Sequence, residues 1–333
     1  MIIIDNYAIA VAMCFITMLC WGSWANTQKL ASENWKYQLF YWDYGFGVLA
    51  ISLLLALTMG SFGSTGRSFL ANIQQSSGQS IGLAILGGAI FNLSNIFLVG
   101  AIDIAGLAVA FPLAIGIALV IATITNYVAN PLGNPYFLFL GVACVIIALI
   151  ADVLAYKKNP STGQKTPIKG FILSVLSGIT MGFFYRFVAA SMSTDFVNME
   201  VGRLSPYSAV VIFSVGLVLS NFIFNSVLMV KPFTGESVAF SDYSKKGTPK
   251  LHLIGILGGA IWGLGMVFSI LSAGSTGYAI SFGLGAQGGT LVAALWGVFI
   301  WKEFKNAHKG AISLLTVMFL FYIIGLLLLI LAR

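Results

Sequence analysis

Ile85-Leu86-Gly87-Gly88-Ala89-Ile90 returns unchanged as Ile256-Leu257-Gly258-Gly259-Ala260-Ile261. At the same offset of 171 residues, Leu93 meets Leu264, Phe97 meets Phe268, Gly106 meets Gly277, Ala108 meets Ala279, Phe111 meets Phe282 and Leu113 meets Leu284. A match without gaps over this length spans two elements, which shared apolar composition does not readily produce. A fainter echo joins Ile16-Thr17-Met18 to Ile179-Thr180-Met181. The chain therefore reads as two copies of one unit, and the surroundings of the repeat say what the unit is.

Each copy lies among continuous apolar runs of about 20 residues, the length an α-helix needs to cross a hydrocarbon layer. Only 8% of the residues are charged, 59% are hydrophobic and the mean hydropathy is +0.95. An average soluble domain is roughly 25% charged, so these charges cannot cover a water-facing surface. In lipid every backbone N–H and C=O must find its partner within the chain. Transmembrane barrel strands alternate polar and apolar residues over about ten positions, and these runs do not alternate. The expected architecture is an all-α membrane protein with helices at 7–26, 38–59, 81–101, 105–127, 136–155, 170–191, 207–229, 251–272, 277–300 and 309–331. Gly60-Ser61, Asn130-Pro131, Asn159-Pro160, Ser205-Pro206 and Gly247-Thr248-Pro249 punctuate them. The longest connections, near 60–80 and 230–250, are far shorter than the roughly 50 residues of the smallest domains. A single integral-membrane domain follows, with a first five-helix repeat at 1–155, a linker at 156–169 and a second repeat at 170–333. Five is odd, so the second copy enters the membrane upside down. In transporters built from inverted repeats the solute site lies between the copies near midplane.

All thirteen lysines lie in or beside alternate connections: Lys29 and Lys36; Lys157, Lys158, Lys165 and Lys169; Lys231, Lys245, Lys246 and Lys250; Lys302, Lys305 and Lys309. The other face has Arg67, Arg203 and Arg333, and Arg186 falls within a helix. By the positive-inside rule the lysine-rich face is cytoplasmic. A multi-pass protein of the cell (inner or plasma) membrane with both termini extracytoplasmic is expected. The net charge of +7 is then an orientation signal and a contact for anionic lipid headgroups. Nucleic-acid binding needs basic residues clustered on a reading element, and no nucleic-acid partner is expected. Met1 to Asn6 carry no positive charge and no cleavage site, so the first apolar run is expected to be helix 1 itself. Cys14, Cys20 and Cys144 fall singly in apolar runs, and His252 and His308 sit at helix ends. There is no GxxxxGK[ST], HExxH or GxSxG. Neither enzyme, metal nor cofactor is expected.

Polar groups in lipid need a reason. Asp43, in Phe40-Tyr41-Trp42-Asp43-Tyr44, and Arg186, in Phe184-Tyr185-Arg186-Phe187, lie well inside predicted helices, where an ionised side chain costs about 2.5–3.5 kcal/mol on insertion scales. Asp43 can be neutralised by a proton, which makes it the candidate for proton coupling; the other reading is an interfacial helix-start residue. Arg186 keeps its charge and either meets a solute or snorkels to the outer interface. Asp103, Asp152 and Glu303 fall at predicted helix ends, where solvation is expected. Asn92 and Asn95 share a helix face, to bind solute or to join helices. Phe111-Pro112 aligns with Phe282-Gly283, and Leu284-Gly285-Ala286-Gln287-Gly288-Gly289 follows. Paired helix breakers in corresponding positions point to a transporter site, and Gln287 adds a donor and an acceptor there. Trp21, Trp24, Tyr41 and Trp42 form an interfacial aromatic belt or, for Trp24 and Tyr41, face the solute. Trp262 lies deeper, where its ring suits stacking on a sugar or heterocycle. Trp24, Tyr41, Asn92, Asn95, Phe111, Pro112, Tyr185, Arg186, Trp262, Phe282 and Gln287 are the candidate solute-binding residues.

Ten helices in two inverted halves resemble the drug/metabolite transporter superfamily. Within it, Tyr41-Trp42-Asp43-Tyr44 resembles the Tyr-x-Asp-Tyr of the ureide permease branch and its glucose–rhamnose sugar-transporter relatives. Ala122-Thr123-Ile124-Thr125-Asn126-Tyr127 resembles its Thr-x-x-Asn-Tyr, and Leu295-Trp296-Gly297 through Trp301-Lys302-Glu303-Phe304 its Trp-Gly with a Glu-aromatic pair. The chain departs from the branch at Cys20-Trp21-Gly22-Ser23-Trp24-Ala25-Asn26, where a Trp-Pro is expected, and its linker is short beside the long central loop of plant members. The resemblance implies a secondary active symporter: proton-coupled uptake, by alternating access, of a small neutral polar solute such as a ureide, a nucleobase or nucleoside, or a sugar. The alternative is a drug or metabolite exporter or exchanger of the same fold. The implied partners are the small-molecule solute, protons and membrane lipid.

Overall fold

The computed structural model describes residues 1–31, 35–105, 107–158, 168–302, 304–305 and 307–332. Gly106, the Asn159-Pro160 turn, Lys165, Glu303 and Arg333 lie outside the described residues, as do the side chains of Asp103 and Ala108. The regular structure is helical, and ten segments are long and apolar enough to cross a membrane. α1 (Tyr7–Ser23) resumes beyond Trp24 as α2 (Ala25–Ala31), followed by α3 (Tyr37–Leu57), a short α4 (Phe69–Gln75), α5 (Gly78–Ala105), α6 (Leu107–Ala129) and α7 (Pro135–Lys157). The second half runs α8 (Ile168–Ser191), α9 (Pro206–Val230), a short α10 (Phe240–Lys245), α11 (Pro249–Thr276), α12 (Tyr278–Leu295) with a π-helical extension over Trp296–Ile300, and α13 (Lys309–Leu331). α4 and α10 fall in the two long connections, where no element was expected.

Several punctuating dipeptides are helix starts. Ser205 and Thr248 accept from the Ser208 and Leu251 amides and place Pro206 and Pro249 in the first turn. A proline is tolerated there because its missing N–H has no intrahelical partner. Asn134 ahead of Pro135 does likewise toward Tyr136 N. Gly277 takes a positive φ of 83° between α11 and α12, which a side chain would resist.

Contacts repeat when the halves are exchanged. α5 packs on α8 and α9 as α11 packs on α1 and α3; α6 lies on α8 as α12 lies on α1; α7 pairs with α13 and α6 with α12. The glycines of the duplicated hexapeptide lie in equivalent cross-half contacts. A Cβ on Gly88 would fall inside van der Waals contact of the Phe213 carbonyl, and one on Gly259 would do so at the Tyr44 carbonyl. Reciprocally, Gly216 sits against the Ile85 carbonyl and Gly47 against that of Ile256. Bare backbone lets helices approach where hydrophobic burial cannot drive them together. A hydrogen bond is duplicated too: Thr17 Oγ1 donates to Gly265 O at 3.1 Å and Ser177 Oγ to Ser94 O at 2.9 Å. Thr17 therefore corresponds to Ser177. The Ile16-Thr17-Met18 echo is out of structural register by three residues, close to one helical turn, a slip that shared apolar composition permits.

The two ends of the bundle differ. At the end opposite the lysines, residues 1–6, α4 and residues 192–205 form a cap. Asn72 donates to Arg203 O and accepts from Ser205 N, Gln75 Oε1 accepts from Gly202 N, and Tyr207 Oη donates to Ile2 O. The Phe196 ring lies on Gly274. The lysine-rich end is crossed by residues 231–248, including α10.

Candidate functional site

A cavity of about 70 Å³ lies in the middle of the bundle. Most of its lining occurs as equivalent pairs from the two halves: Phe91 and Trp262, Phe111 and Phe282, Ile115 and Ala286, Ala118 and Gly289, Trp21 and Met181, Trp24 and Phe184. The first four pairs follow the 171-residue offset. The last two follow the register set by Thr17 and Ser177. The cavity therefore straddles the pseudo-twofold axis. Its rings interlock, with Phe91 and Trp262 centroids 4.3 Å apart and Trp21 stacked on Trp262 at 5.9 Å. Asn95, Leu98 and Thr290 complete the lining. Their counterparts are Met266, Ser269 and Leu119, so the two polar groups, Asn95 and Thr290, break the symmetry of an aromatic chamber. Asn95 donates to Phe91 O, and the Tyr41 hydroxyl lies beside its carboxamide.

The cavity reaches from mid-bundle toward the lysine-rich end, because Trp24, Leu98, Phe111 and Thr290 lie in the parts of their helices nearer that end. On the other side it is sealed by buried Tyr185 and Tyr278 and by a hydroxyl cluster. Tyr185 Oη and Ser269 Oγ are 2.9 Å apart, Ser281 lies 3.1 Å from Ser269 and 2.8 Å from Ser272, and Cys14 Sγ donates to Ser272.

Asp43 lies at the lysine-rich end, with 1% of its side chain exposed. Two donors and the His252 imidazole converge on it. Trp35 Nε1 donates to Oδ2 at 3.1 Å, His252 Nδ1 lies 2.9 Å from Oδ1, and the Tyr243 hydroxyl donates to the same Oδ1. The rings of Tyr243 and Trp35 pack on the imidazole at 4.6 and 5.1 Å. Asp43 and Trp35 belong to the first half, and His252 and Tyr243 to the second. Gly255 makes room, since a Cβ there would collide with Asp43. Such a net of donors suits an ionised carboxylate in a dry setting.

Of the sequence candidates, Trp24, Asn95, Phe111, Trp262 and Phe282 line the cavity. The others lie elsewhere. Pro112 faces a lateral apolar groove of about 660 Å³ between α6, α7 and α8, with Lys157 at its end. Asn92 donates to Ser220 Oγ at 2.9 Å and fastens α5 to α9. Gln287 donates to Tyr322 O and packs on Gly325, between α12 and α13. Tyr41 is fully buried between Tyr37 and Tyr44, and Tyr185 belongs to the seal. Arg186 is half-buried, within electrostatic reach of Tyr278. Asp152, expected to be solvated, is buried near Tyr322 instead.

The expected breakers do not interrupt their helices. α6 continues through Pro112 and α12 through Gly283–Gly289. The α12 glycines receive α1: Gly285 meets Thr17 and Trp21, Gly288 meets Met18, and Gly289 meets Trp21. The sequence alone does not mark Trp21, Phe91, Phe184, Thr290, His252, Tyr243 and Trp35 as site residues. The offset of the repeat pairs Phe91 with Trp262, which was a signal for that residue. The Asp43 partners join positions up to 209 residues apart, which no local pattern discloses.

The ureide permease family model matches residues 40–169 and 157–332. The chain belongs to the ureide permease family. Ureide permease 1 of Arabidopsis thaliana is 22% identical over 98% of this chain and 97% of its own length. A putative sugar uptake protein of Streptococcus pyogenes is 23% identical over 68% of this chain and 70% of its own. The relatives named permeases are transporters, not enzymes. One crystal structure superposes with a TM-score of 0.61 at 13% identity, covering 96% of this chain and 97% of that one, a likeness of fold alone. The family resemblances noted in the sequence occupy defined places. Tyr44 packs on the cavity residue Trp24 and on Tyr41, and Asp43 is the centre of its own cluster. Trp296 Nε1 donates to Ser23 Oγ and Trp301 Nε1 to Asn26 Oδ1, which ties the end of α12 to α1 and α2 where helix 1 departs from the family pattern.

Proposed function

We propose that this ureide permease family member is a proton-coupled secondary transporter that takes up a small neutral polar solute by alternating access. A ureide, a nucleobase or nucleoside, or a sugar fits the reading. The observation that carries it is the aromatic chamber on the pseudo-twofold axis, whose polar lining groups, beside the indole N–H groups of Trp21, Trp24 and Trp262, are a carboxamide and a hydroxyl. Aromatic faces take planar or ring-shaped solutes, and neutral hydrogen-bonding groups at Asn95 and Thr290 suit a neutral polar one. The chamber is smaller than the roughly 150 Å³ apolar cavity that admits benzene, so the present state is a contracted one. The halves, 1–155 and 170–333 joined by 156–169, rock against each other to widen it. The lysine-rich face is cytoplasmic, both termini are outside, and Asp43 carries the proton.

Proteoliposomes test this. A solute identified by a thermal-shift screen of ureides, nucleobases, nucleosides and monosaccharides should accumulate when the outside is acidic. Asp43→Asn should exchange labelled for unlabelled solute yet no longer accumulate it. Gradient-driven accumulation by that variant would remove the coupling role.

A further inference from the structure

The segment from α9 to α11 crosses the lysine-rich end of the bundle, and its two parts are held differently. The first is anchored by burial. The Phe233 ring covers Gly100 beside Phe97, and buried Val238 donates its N–H to Met229 O. The second part contains α10, which has no buried residue. The Lys246–Asp242 pair and the Ser244–Ser241 hydrogen bond stay within this part of the segment. Among the described hydrogen bonds, the one from the Tyr243 hydroxyl to Asp43 is what fastens α10 to the helices beneath.

We propose that α10 is a latch across the lysine-rich mouth of the cavity, closed while Asp43 is ionised and released when Asp43 takes a proton, with His252 as the positioning residue that sets the release point. The proposal rests on the reading of Asp43 as proton carrier. What drives the release is the loss of charge on the shared acceptor. An ionised carboxylate accepts all three hydrogen bonds; a protonated one becomes a donor at one oxygen. Two of the bonded groups share Oδ1 and the third holds Oδ2, and on protonation each loses the charge that made its hydrogen bond about twice as strong as a neutral one. Trp35 is buried, and His252 is fixed on α11 with Nδ1 toward Asp43 and Nε2 close against Gly247. Tyr243, half-buried with its ring on Trp35 and His252 but carried by a six-residue helix that has no fully buried residue, is the donor least held by its own element.

Burial, and then its bond to the Asp43 carboxylate, hold the Tyr243 hydroxyl above the usual tyrosine range, so it remains a donor. The charged groups carried by the surrounding described segments are Lys231 and Glu236 ahead of α10, Asp242, Lys245 and Lys246 on and beside it, Lys250 on α11, Lys29 on α2 and Lys36 ahead of α3. Lys246, and more weakly Lys36, draw Asp242 below the usual carboxylate range, and that pairing does not change when Asp43 is protonated.

Hydrogen–deuterium exchange on the full chain in proteoliposomes, corrected for intrinsic pH dependence, tests the latch. In the native protein, residues 239–247 should be protected at high pH and lose about tenfold in protection as pH falls. Asp43→Asn and Tyr243→Phe should be unprotected throughout, with the ten long helices still protected. His252→Gln should move the midpoint upward by about one pH unit, because a partner of the ionised carboxylate is weakened; a purely structural role would lower protection without moving it. Protection of 239–247 that ignores pH, or a pH response that persists in Asp43→Asn, would overturn the latch. The coupling reading fails separately, by gradient-driven accumulation in Asp43→Asn, whatever α10 does.

Discussion

At the scale of single residues, the chamber assigns different work to its rings and its polar groups. Trp262 contacts Trp21, Phe91 and Phe213. Trp262→Ala is expected to weaken solute binding roughly tenfold, about 1.4 kcal/mol, in a titration on purified protein. Asn95→Leu should cost about three- to tenfold, the range of one neutral hydrogen bond, and should fall hardest on solutes with a carbonyl or hydroxyl. Pro112→Ala should leave solute affinity within about twofold, since Pro112 faces the lateral groove; a larger loss would put the solute against α6 on that side. These distinctions explain what the sequence disclosed. Asp43 stood out because a carboxylate in an apolar run is expensive wherever it points. Asn92 and Asn95 did not separate, because residues three apart differ by only about 60° around a helix. That angle turns one to Ser220 and the other to the cavity. α5 is packed against α8 on one side and α9 on another, so no polar stripe marks which face is which.

At the scale of elements, bare glycine backbone sets how closely α5 meets α9 and α11 meets α3. Gly88→Ala or Gly259→Ala forces a methyl into a facing carbonyl and should destabilise the protein by about 1–3 kcal/mol, seen as a lower unfolding temperature in detergent. Gly82→Ala is the internal control. Nothing lies within 4 Å of its added Cβ, and helix propensity alone predicts an unchanged or higher unfolding temperature. The number and order of the membrane helices were legible because length and apolarity decide them. The paired breakers point to Phe111 and Phe282 at the cavity but not to a break in either helix, because a glycine run records close approach as readily as flexibility. The glycines of α12 are the bed on which α1 lies. α4 and α10 escaped notice because six or seven residues are too few for a periodicity to show.

At the scale of the whole molecule, the lysine-rich end carries the Asp43 cluster and the side toward which the cavity extends, and the other end is capped. If the positive-inside rule sets the orientation, a cysteine replacing Ser244 should react with an impermeant maleimide only from the cytoplasm, and one replacing Asn198 only from outside. Both positions are exposed and the native cysteines are buried; the reverse pattern would invert the direction of uptake proposed above. The chamber's lopsided polarity has a further consequence. Because most of its rings come in matched pairs, swapping which side is open in the proposed cycle returns a ring-shaped solute to nearly the same apolar surroundings, so fit by shape should be shared between entry and exit. Asn95 and Thr290 have no such twins. A solute that engages them keeps one heading throughout the cycle, and its lopsided analogues should differ more in their rates of release than in how tightly they are first held.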